Sequence, residues 1–292
     1  MKKKFKLFCF GFGQVANYFV RNLIKHNLNF DLITTNTSST QINKINNLDY
    51  KSYYFADSKF DKNLLKDLST SDKVLISIPP KDDKDIVLKT FDENFKKNKF
   101  NWVTYLSATS VYGDKKGEWV DEEANTDPKS NIGIARLNAE KSWLKYYKDF
   151  NLSVQIFRLT GIYSVENNVI KRLKKGTLKI VDKKNHYFSR IHVEDIAEIL
   201  NLSLKKFNAG QIFNLSDDYP CSNDEIAQYA ASLIKVNLPK KINLNDLESE
   251  MLKNFYKDSK KVSNKKMKFF FKYKLKYPTF KEGLDMIKNH IT

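Results

Sequence analysis

Apolar runs of four to seven residues alternate with amphipathic stretches along the first 160 residues of the chain. FKLFCF (5–10) reads as a strand, and 14–28 as a helix with Val15, Phe19, Leu23 and Ile24 on one face. FDLITT (30–35), YKSYYF (50–55), KVLISI (73–78), WVTYL (102–106) and SVQIFRL (153–159) read as further strands. Helices are predicted between them, for example over 85–95 and 135–150. Strands separated by helices of this size imply βαβ units, a parallel sheet and right-handed crossovers. Pro79-Pro80 closes the fourth strand, because proline cannot donate to a ladder. After Gly161 the alternation loosens. The stretch 171–184 is basic and irregular, RIHVEDIAEIL opens a helix with Asp195 in its first turn, and QIFNLS (211–216) is a last apolar strand. From Asp217 onward the pattern is mostly helical, with no strong strand signal.

Composition narrows the classes open to such a chain. A length of 292 residues, 41% hydrophobic and 29% charged, allows a sizeable core in one large domain or two that share it. No apolar run reaches the roughly 20 residues that span a bilayer. The start, MKKKFKLFCFGFG, has the basic-then-apolar order of a signal peptide, but Lys6 interrupts it and no small-residue cleavage site follows. Read as a first strand, it implies a cytoplasmic protein. Cys9 and Cys221 make no disulfide or metal framework, and the four histidines have no metal-ligand spacing. The net charge of +17 does not imply nucleic acid. Only five of the 51 basic residues are arginines (Arg21, Arg136, Arg158, Arg172, Arg190), and the lysines are scattered through every segment. The densest basic run, Lys171-Arg172-Leu173-Lys174-Lys175, is weighed as a solvated face ahead of an anion site.

Chemistry enters at the first turn. Gly11-Phe12-Gly13-Gln14-Val15-Ala16 is a G-x-G-x-x-A sequence between the first strand and the first helix. Gly11 permits the tight turn, Gly13 lets the backbone approach a pyrophosphate, and Ala16 allows close helix–strand packing. The phosphates would sit on the amides of the turn and of Gln14 and Val15, at the positive end of the helix. The alternative is a glycine turn that binds nothing. The second strand ends Thr34-Thr35-Asn36-Thr37-Ser38-Ser39 without a carboxylate, which favours NADP over NAD. Ile78 and Pro79, after the fourth strand, and Ser107, ending the fifth, complete the candidate cofactor contacts.

The fifth strand runs into YLSATSVYGD (105–114), where an apolar run breaks into Ser107, Thr109 and Ser110. A buried parallel strand ends in this way when it delivers polar groups to a pocket at the carboxyl edge of a sheet. With the glycine turn, FRLTGIY (157–163), RIHVEDIA (190–197) and IFNLSDDYP (212–220), it makes nearly the whole chain resemble the NAD-dependent epimerase/dehydratase family, the extended short-chain dehydrogenases. The resemblance implies an α/β, Rossmann-like, doubly wound parallel sheet with a small C-terminal lobe. Residues 1–161 plus 190–216 would form the NAD(P)-binding domain, and 162–189 plus 217–292 the substrate lobe. It also implies a homodimer through the helices after the fourth and fifth strands, an adenine contact for Asp57, and contact with substrate for Thr109 and Arg190.

The departures from the family pattern matter as much as the matches. Active members transfer a proton through Tyr-x-x-x-Lys on a helix, and orient the reacting oxygen with a Ser or Thr. The corresponding positions hold Ile132, Arg136 and Ala108, and the usual first glycine of the turn is Phe10. Isoleucine moves no proton, and arginine stays charged at neutral pH. Ser107, Thr109, Tyr112 and Arg136 remain as catalytic candidates, Tyr112 with loop packing as its other role. His192 reads as a core histidine, and Glu122 and Glu123 as an exposed turn. Two functions are expected. One is an NAD(P)-dependent oxidoreductase or epimerase/dehydratase-like enzyme acting on a small polar metabolite with non-standard proton transfer. The other is a catalytically silent NADP-binding sensor or scaffold.

Overall fold

The computed structural model describes residues 4–248, 253 and 256–291. The chain opens with β1 (Phe5–Phe10), α1 (Gln14–Lys25) and β2 (Phe30–Asn36), then a hairpin of β3 (Gln41–Ile45) and β4 (Leu48–Ala56). β5 (Lys59–Phe60), α2 (Leu64–Ser69), β6 (Lys73–Ile76), α3 (Ile86–Lys97) and β7 (Trp102–Ala108) follow. Next come β8 (Trp119–Val120), α4 (Asn131–Phe150), β9 (Val154–Leu159), β10 (Gly161–Tyr163), α5 (Val169–Lys174) and β11 (Ile180–Val181). The remainder is β12 (Arg190–His192), α6 (Val193–Ser203), β13 (Ile212–Leu215), α7 (Asn223–Ile234), β14 (Lys241–Ile242), β15 (Lys261–Val262), α8 (Lys265–Phe271) and α9 (Phe280–Ile291). No helix among the described residues is long and apolar enough to cross a membrane.

Among the described residues the central sheet runs β13-β9-β7-β6-β1-β2-β4-β3, with β5 on β4. β2 and β6 flank β1 in parallel, with Phe5 opposite Phe30 and Leu7 opposite Lys73. Strand order therefore reverses on either side of β1, and open sheets bind ligands at the carboxyl edge of such a switch point. The sheet is the doubly wound, Rossmann-like α/β arrangement that the alternating pattern implies. One hairpin escaped that pattern. β3 pairs antiparallel with β4 across Asn46-Asn47, Asn46 taking φ +51°, and the exposed polar positions of QINKI carry no periodic signal. The first helix also stops at Lys25 rather than Leu28, because Asn27 turns left-handed and the Leu28 amide bonds back to the Leu23 carbonyl.

By its contacts the chain divides into two units: Met1–Ala108, Ile134–Arg158 and Ile196–Phe213, and then Thr109–Gly133, Leu159–Asp195 and Asn214–Thr292. This division differs from the one drawn along the sequence mainly in 109–133, which packs with the second unit. Local bonds hold it there. Tyr112 donates to Asn214 Oδ1 (2.7 Å), the Asn214 amide donates to Glu122 Oε1 (2.7 Å), and β8 pairs with β15.

The first unit is held by an aromatic core. Phe8, Phe10, Val103 and Tyr105 join Phe91 and Phe95 of α3 and Trp143 of α4 in one buried cluster. Trp102, on the adjacent register, stacks on Phe19 of α1 and donates to Ser203 of α6, so the sheet is covered on both faces. Polar groups inside this core are paired. Asp85 caps α3 through the amides of Val87 and Leu88 and accepts from Trp143 Nε1 at 2.9 Å. Glu140 and Arg158, 1% and 4% exposed, form a forked ion pair at 2.8–3.2 Å. The second unit gathers Tyr163, Ile170, Ile226, Phe280, Leu284 and Ile287 into a smaller core.

Candidate active site

In the first unit the glycine turn is clamped from both neighbouring strands. Gly11, at φ +79°, donates its amide to Thr35 Oγ1 (2.8 Å) at the end of β2. Ser77, just past β6, donates its hydroxyl to the Gly11 carbonyl (3.2 Å), and its amide bonds the Phe10 carbonyl. Gly13 caps α1 with no side chain, and no acidic residue occupies the first turn. A Cβ placed on Gly13 would meet nothing within 4 Å. The turn therefore opens on a cleft of about 830 Å³ also lined by Thr35, Asn36, Asp57, Ile78 and Pro79. A helix N-terminus without a protein anion, over an open cradle that carries no side chain, suits a pyrophosphate.

The sequence-predicted cofactor residues divide by what they have left to offer. Gly11, Gly13, Thr35, Asn36, Asp57, Ile78 and Pro79 all line this cleft, whereas Gln14, Val15 and Ser107 do not. The Val15 side chain is buried, so what Val15 can offer a ligand is backbone. The Asn36 side chain accepts from the Ser38 and Ser39 amides and donates to the Ser39 carbonyl and Ser52 Oγ. It shapes the turn after β2, and its hydrogen-bonding capacity is filled. Asp57 is exposed and paired with Lys81 at 2.7 Å, whose ammonium holds its carboxyl below the usual range. Ser107 is buried at the end of β7, and its hydroxyl has no partner among the described residues.

On α4, Arg136 donates to the Leu106 carbonyl (2.7 Å) and lies 3.5 Å from the Tyr105 hydroxyl. It ties the helix to β7. Tyr105 is fully buried, which raises its phenol far above the usual value, so it offers no base at neutral pH.

Within the second unit, Thr109 and Ser110 line a cavity of about 520 Å³ together with Ile132, Arg172, Ser189 and Lys260. Ile132 is 58% exposed. Tyr112 is buried and spends its hydroxyl on Asn214, the geometry of a packing residue. A second cavity, about 370 Å³, shares Arg172 and Ser189 and adds Arg190, Asn167 and Asn223. Arg190 donates to the carbonyls of Phe188 and Cys221 and to Asn223 Oδ1 (2.5 Å). No Asp or Glu lines this second cavity among the described residues. The protein packed around Arg172, and then the charge of Arg190, press its pKa down. Two guanidiniums in a carboxylate-free cavity form an anion-attracting site.

The exposed-turn reading holds for Glu123 but not for Glu122, which is half-buried, accepts from the Asn214 amide and has its carboxyl pushed up by burial. His192 is buried between the rings of Tyr163 and Tyr277, and burial pushes it down to about 4. Sequence reasoning met Lys260 only in the Tyr-x-x-x-Lys spacing of Tyr256 and Lys260, a spacing that chance supplies in so lysine-rich a chain, and left Asn167 out. Arg172 was seen only as part of a basic run, and its rarity among so many lysines was the available signal.

The model of the NAD dependent epimerase/dehydratase family matches residues 89–216. A solved structure of a conserved protein of unknown function from Silicibacter pomeroyi is 30% identical, over 98% of this chain and 99% of that one, with a TM-score of 0.85. The chain belongs to the NAD dependent epimerase/dehydratase family. Further members lie at greater distance. A dTDP-glucose 4,6-dehydratase from Bacillus anthracis, solved in complex with NAD, superposes with a TM-score of 0.76 at 16% identity, over 98% of this chain and 96% of that one. A dTDP-D-glucose 4,6-dehydratase from Dictyostelium discoideum is 25% identical over 157 residues, which are 47% of this chain and 35% of that relative. The chain thus spans about a third of the curated relative it matches.

Proposed function

We propose that this family member is an NAD(P)-dependent oxidoreductase or epimerase/dehydratase-like enzyme acting on a small, polar, anionic metabolite, with proton transfer by a group other than the usual tyrosine. The observation that carries the reading is the uncapped, side-chain-free start of α1 over the open cleft at Gly11 and Gly13. Gly13 and the first-turn amides would hold the pyrophosphate over the tight turn that Gly11 permits, and Ile78 and Pro79 would flank the adenosine half. Bound there, the dinucleotide supplies hydride exchange with carbon. Support for an anionic substrate comes from Arg172 and Arg190 in their carboxylate-free cavity. The carboxylate-free end of β2 supports NADP over NAD, with Thr37, Ser38 and Ser39 exposed beside it.

The test is a fluorescence titration with NADPH and with NADH, following energy transfer from Trp102, Trp119 and Trp143. Micromolar binding that favours NADPH is the expected result. No binding of either cofactor would reduce the glycine turn to a structural feature. A second reading, a catalytically silent dinucleotide-binding sensor or scaffold, is favoured by the fates of Arg136 and Tyr112, each spent on an internal hydrogen bond. Turnover of any substrate in a carbonyl and alcohol panel would eliminate it.

A further inference from the structure

A chain without the tyrosine needs another group that can gain and lose a proton beside a reacting oxygen. In the second unit's 520 Å³ cavity three charged side chains stand near Thr109 and Ser110: Arg172, Asp258 and Lys260. A guanidinium does not give up its proton near neutral pH. Lys260 differs in kind. It is 9% exposed, and its Nζ has one ion-pair partner, Asp258, at 3.4 Å. Exposed Lys145 and Lys129 sit closer to their acids, at 2.6 Å from Asp149 and 2.8 Å from Asp127. The backbone fixes its place. The preceding Ser259 accepts the Tyr187 amide on Oγ (3.0 Å), its own amide donates to Asp114 Oδ1 (2.8 Å), and the following Lys261-Val262 pairs with β8. In the same cavity the Ser110 hydroxyl is buried with no partner among the described residues. A buried hydroxyl left without a partner costs about 1–3 kcal/mol, a cost that a bound polar group would relieve.

We propose that Lys260 is the proton-transferring residue of this enzyme, acting on a substrate oxygen that the Thr109 and Ser110 hydroxyls hold in the cavity. The inference rests on the enzyme reading above. In the oxidising direction the substrate's hydroxyl-bearing carbon would give up a hydride, chemistry that a bound dinucleotide would supply. The hydroxyl proton passes to neutral Nζ, which becomes ammonium as the C=O bond forms. In the reducing direction the ammonium returns that proton to the carbonyl oxygen as hydride arrives at carbon. The electrostatics agree with this role. Burial lowers the pKa of Lys260, the carboxylates of Asp258 and Asp114 oppose that, and the charge of Lys115 adds to it. Asp258 and Tyr187 also line the cavity; Asp258 is the ion-pair partner of Lys260, and the Tyr187 ring carries the Lys261 ammonium 4.3 Å from its centroid.

The experiment is trace acetylation of the folded chain with acetic anhydride across neutral to alkaline pH, read at Lys260 by peptide mass spectrometry. The expected result is a labelling midpoint below the value of about 10.4 for free lysine. A midpoint at or above that value, or no labelling of Lys260 while the chain stays folded, overturns the proposal. Lys260→Arg, Lys260→Met and Tyr187→Phe are then compared on the carbonyl and alcohol panel. Both Lys260 variants should lose at least about 100-fold in turnover and bind NADPH within about twofold of the parent, with Tyr187→Phe retaining turnover. The reverse pattern, loss in Tyr187→Phe and retention in Lys260→Met, assigns the proton to the phenol and overturns the proposal. Failure of the parent to bind either dinucleotide sinks the enzyme reading and with it the role of Lys260. The acetylation result separates the two failures, since it needs no cofactor.

Discussion

The cleft of the first unit and the cavities of the second are built on opposite plans. At the cleft the working surface is backbone: Gly13 and the start of α1 lie open over it, while Thr35 and Ser77 hold Gly11 from the flanking strands. In the second unit the working surface is side chain, with Arg172, Arg190, Lys260, Ser110 and Asn223 brought from well-separated stretches of sequence. A backbone site needs a short run of small residues at fixed spacing, so it leaves a motif. A side-chain site needs charges that converge only after folding, and it leaves none. Their electrostatics differ as well. In the first unit the buried acid Glu140 is matched to Arg158, whereas Arg172 and Arg190 share a cavity that no carboxylate lines, Asp217 being the buried acid that interacts with Arg190.

The comparison can be broken or sharpened by substitution. The largest effect belongs to the matched pair of the first unit. Glu140→Ala leaves Arg158 charged and buried, and should cost about 3–5 kcal/mol in urea unfolding, or abolish folding. Next is an acid limb confined to the second unit. Burial, with the charge of Lys183 for His186 and of Lys276 for His192, lowers both imidazoles to about 4. Their folded pKa values lie below the unfolded value of about 6.5, so the unfolded chain takes up protons that the folded chain refuses. Stability is then full above roughly pH 6.5 and falls as pH drops towards 4, by roughly 2–3 kcal/mol for each histidine. Denaturant midpoints measured across that window should show it, and His186→Phe with His192→Phe should flatten the slope.

A third substitution separates binding from folding at the glycine turn. Gly13→Val fills open space, so it should weaken dinucleotide binding by about 100-fold and leave the melting temperature unchanged. Gly11→Ala should instead cost about 1–2 kcal/mol of stability, because Gly11 sits at φ +79° with Ser77 and Ile78 atoms 3.0 Å from the added carbon. Equal stability losses in the two variants would erase the distinction. The smallest effect is Arg172→Met. It relieves repulsion with Arg190, so stability should stay within about 0.5 kcal/mol. Pyrophosphate binding, read by calorimetry in the Gly13→Val background so that the glycine turn does not contribute, should weaken by about tenfold, the loss of one charge-assisted contact.

What the sequence alone determined is what depends on near neighbours along the chain. The alternation of apolar runs and amphipathic stretches sufficed for the parallel strands, since a strand buried on both faces must be apolar throughout. The G-x-G-x-x-A spacing marked the glycine turn that opens on the first unit's cleft, because a turn between one strand and the next helix is local. The same reasoning showed that Ile132 and Arg136 cannot exchange a proton, a matter of side-chain chemistry wherever they lie. Only the tertiary structure decided the rest. Asn36 looked like a ligand group until its four hydrogen bonds closed on its own turn and on Ser52. Tyr112 looked like a proton donor until Asn214, 102 positions away, took its hydroxyl. Lys260 and Arg172 were two among 51 basic residues, and nothing local distinguishes a solvated lysine from a desolvated one. Desolvation and charge convergence are set by what packs around a side chain, and packing brings together residues that the sequence keeps far apart.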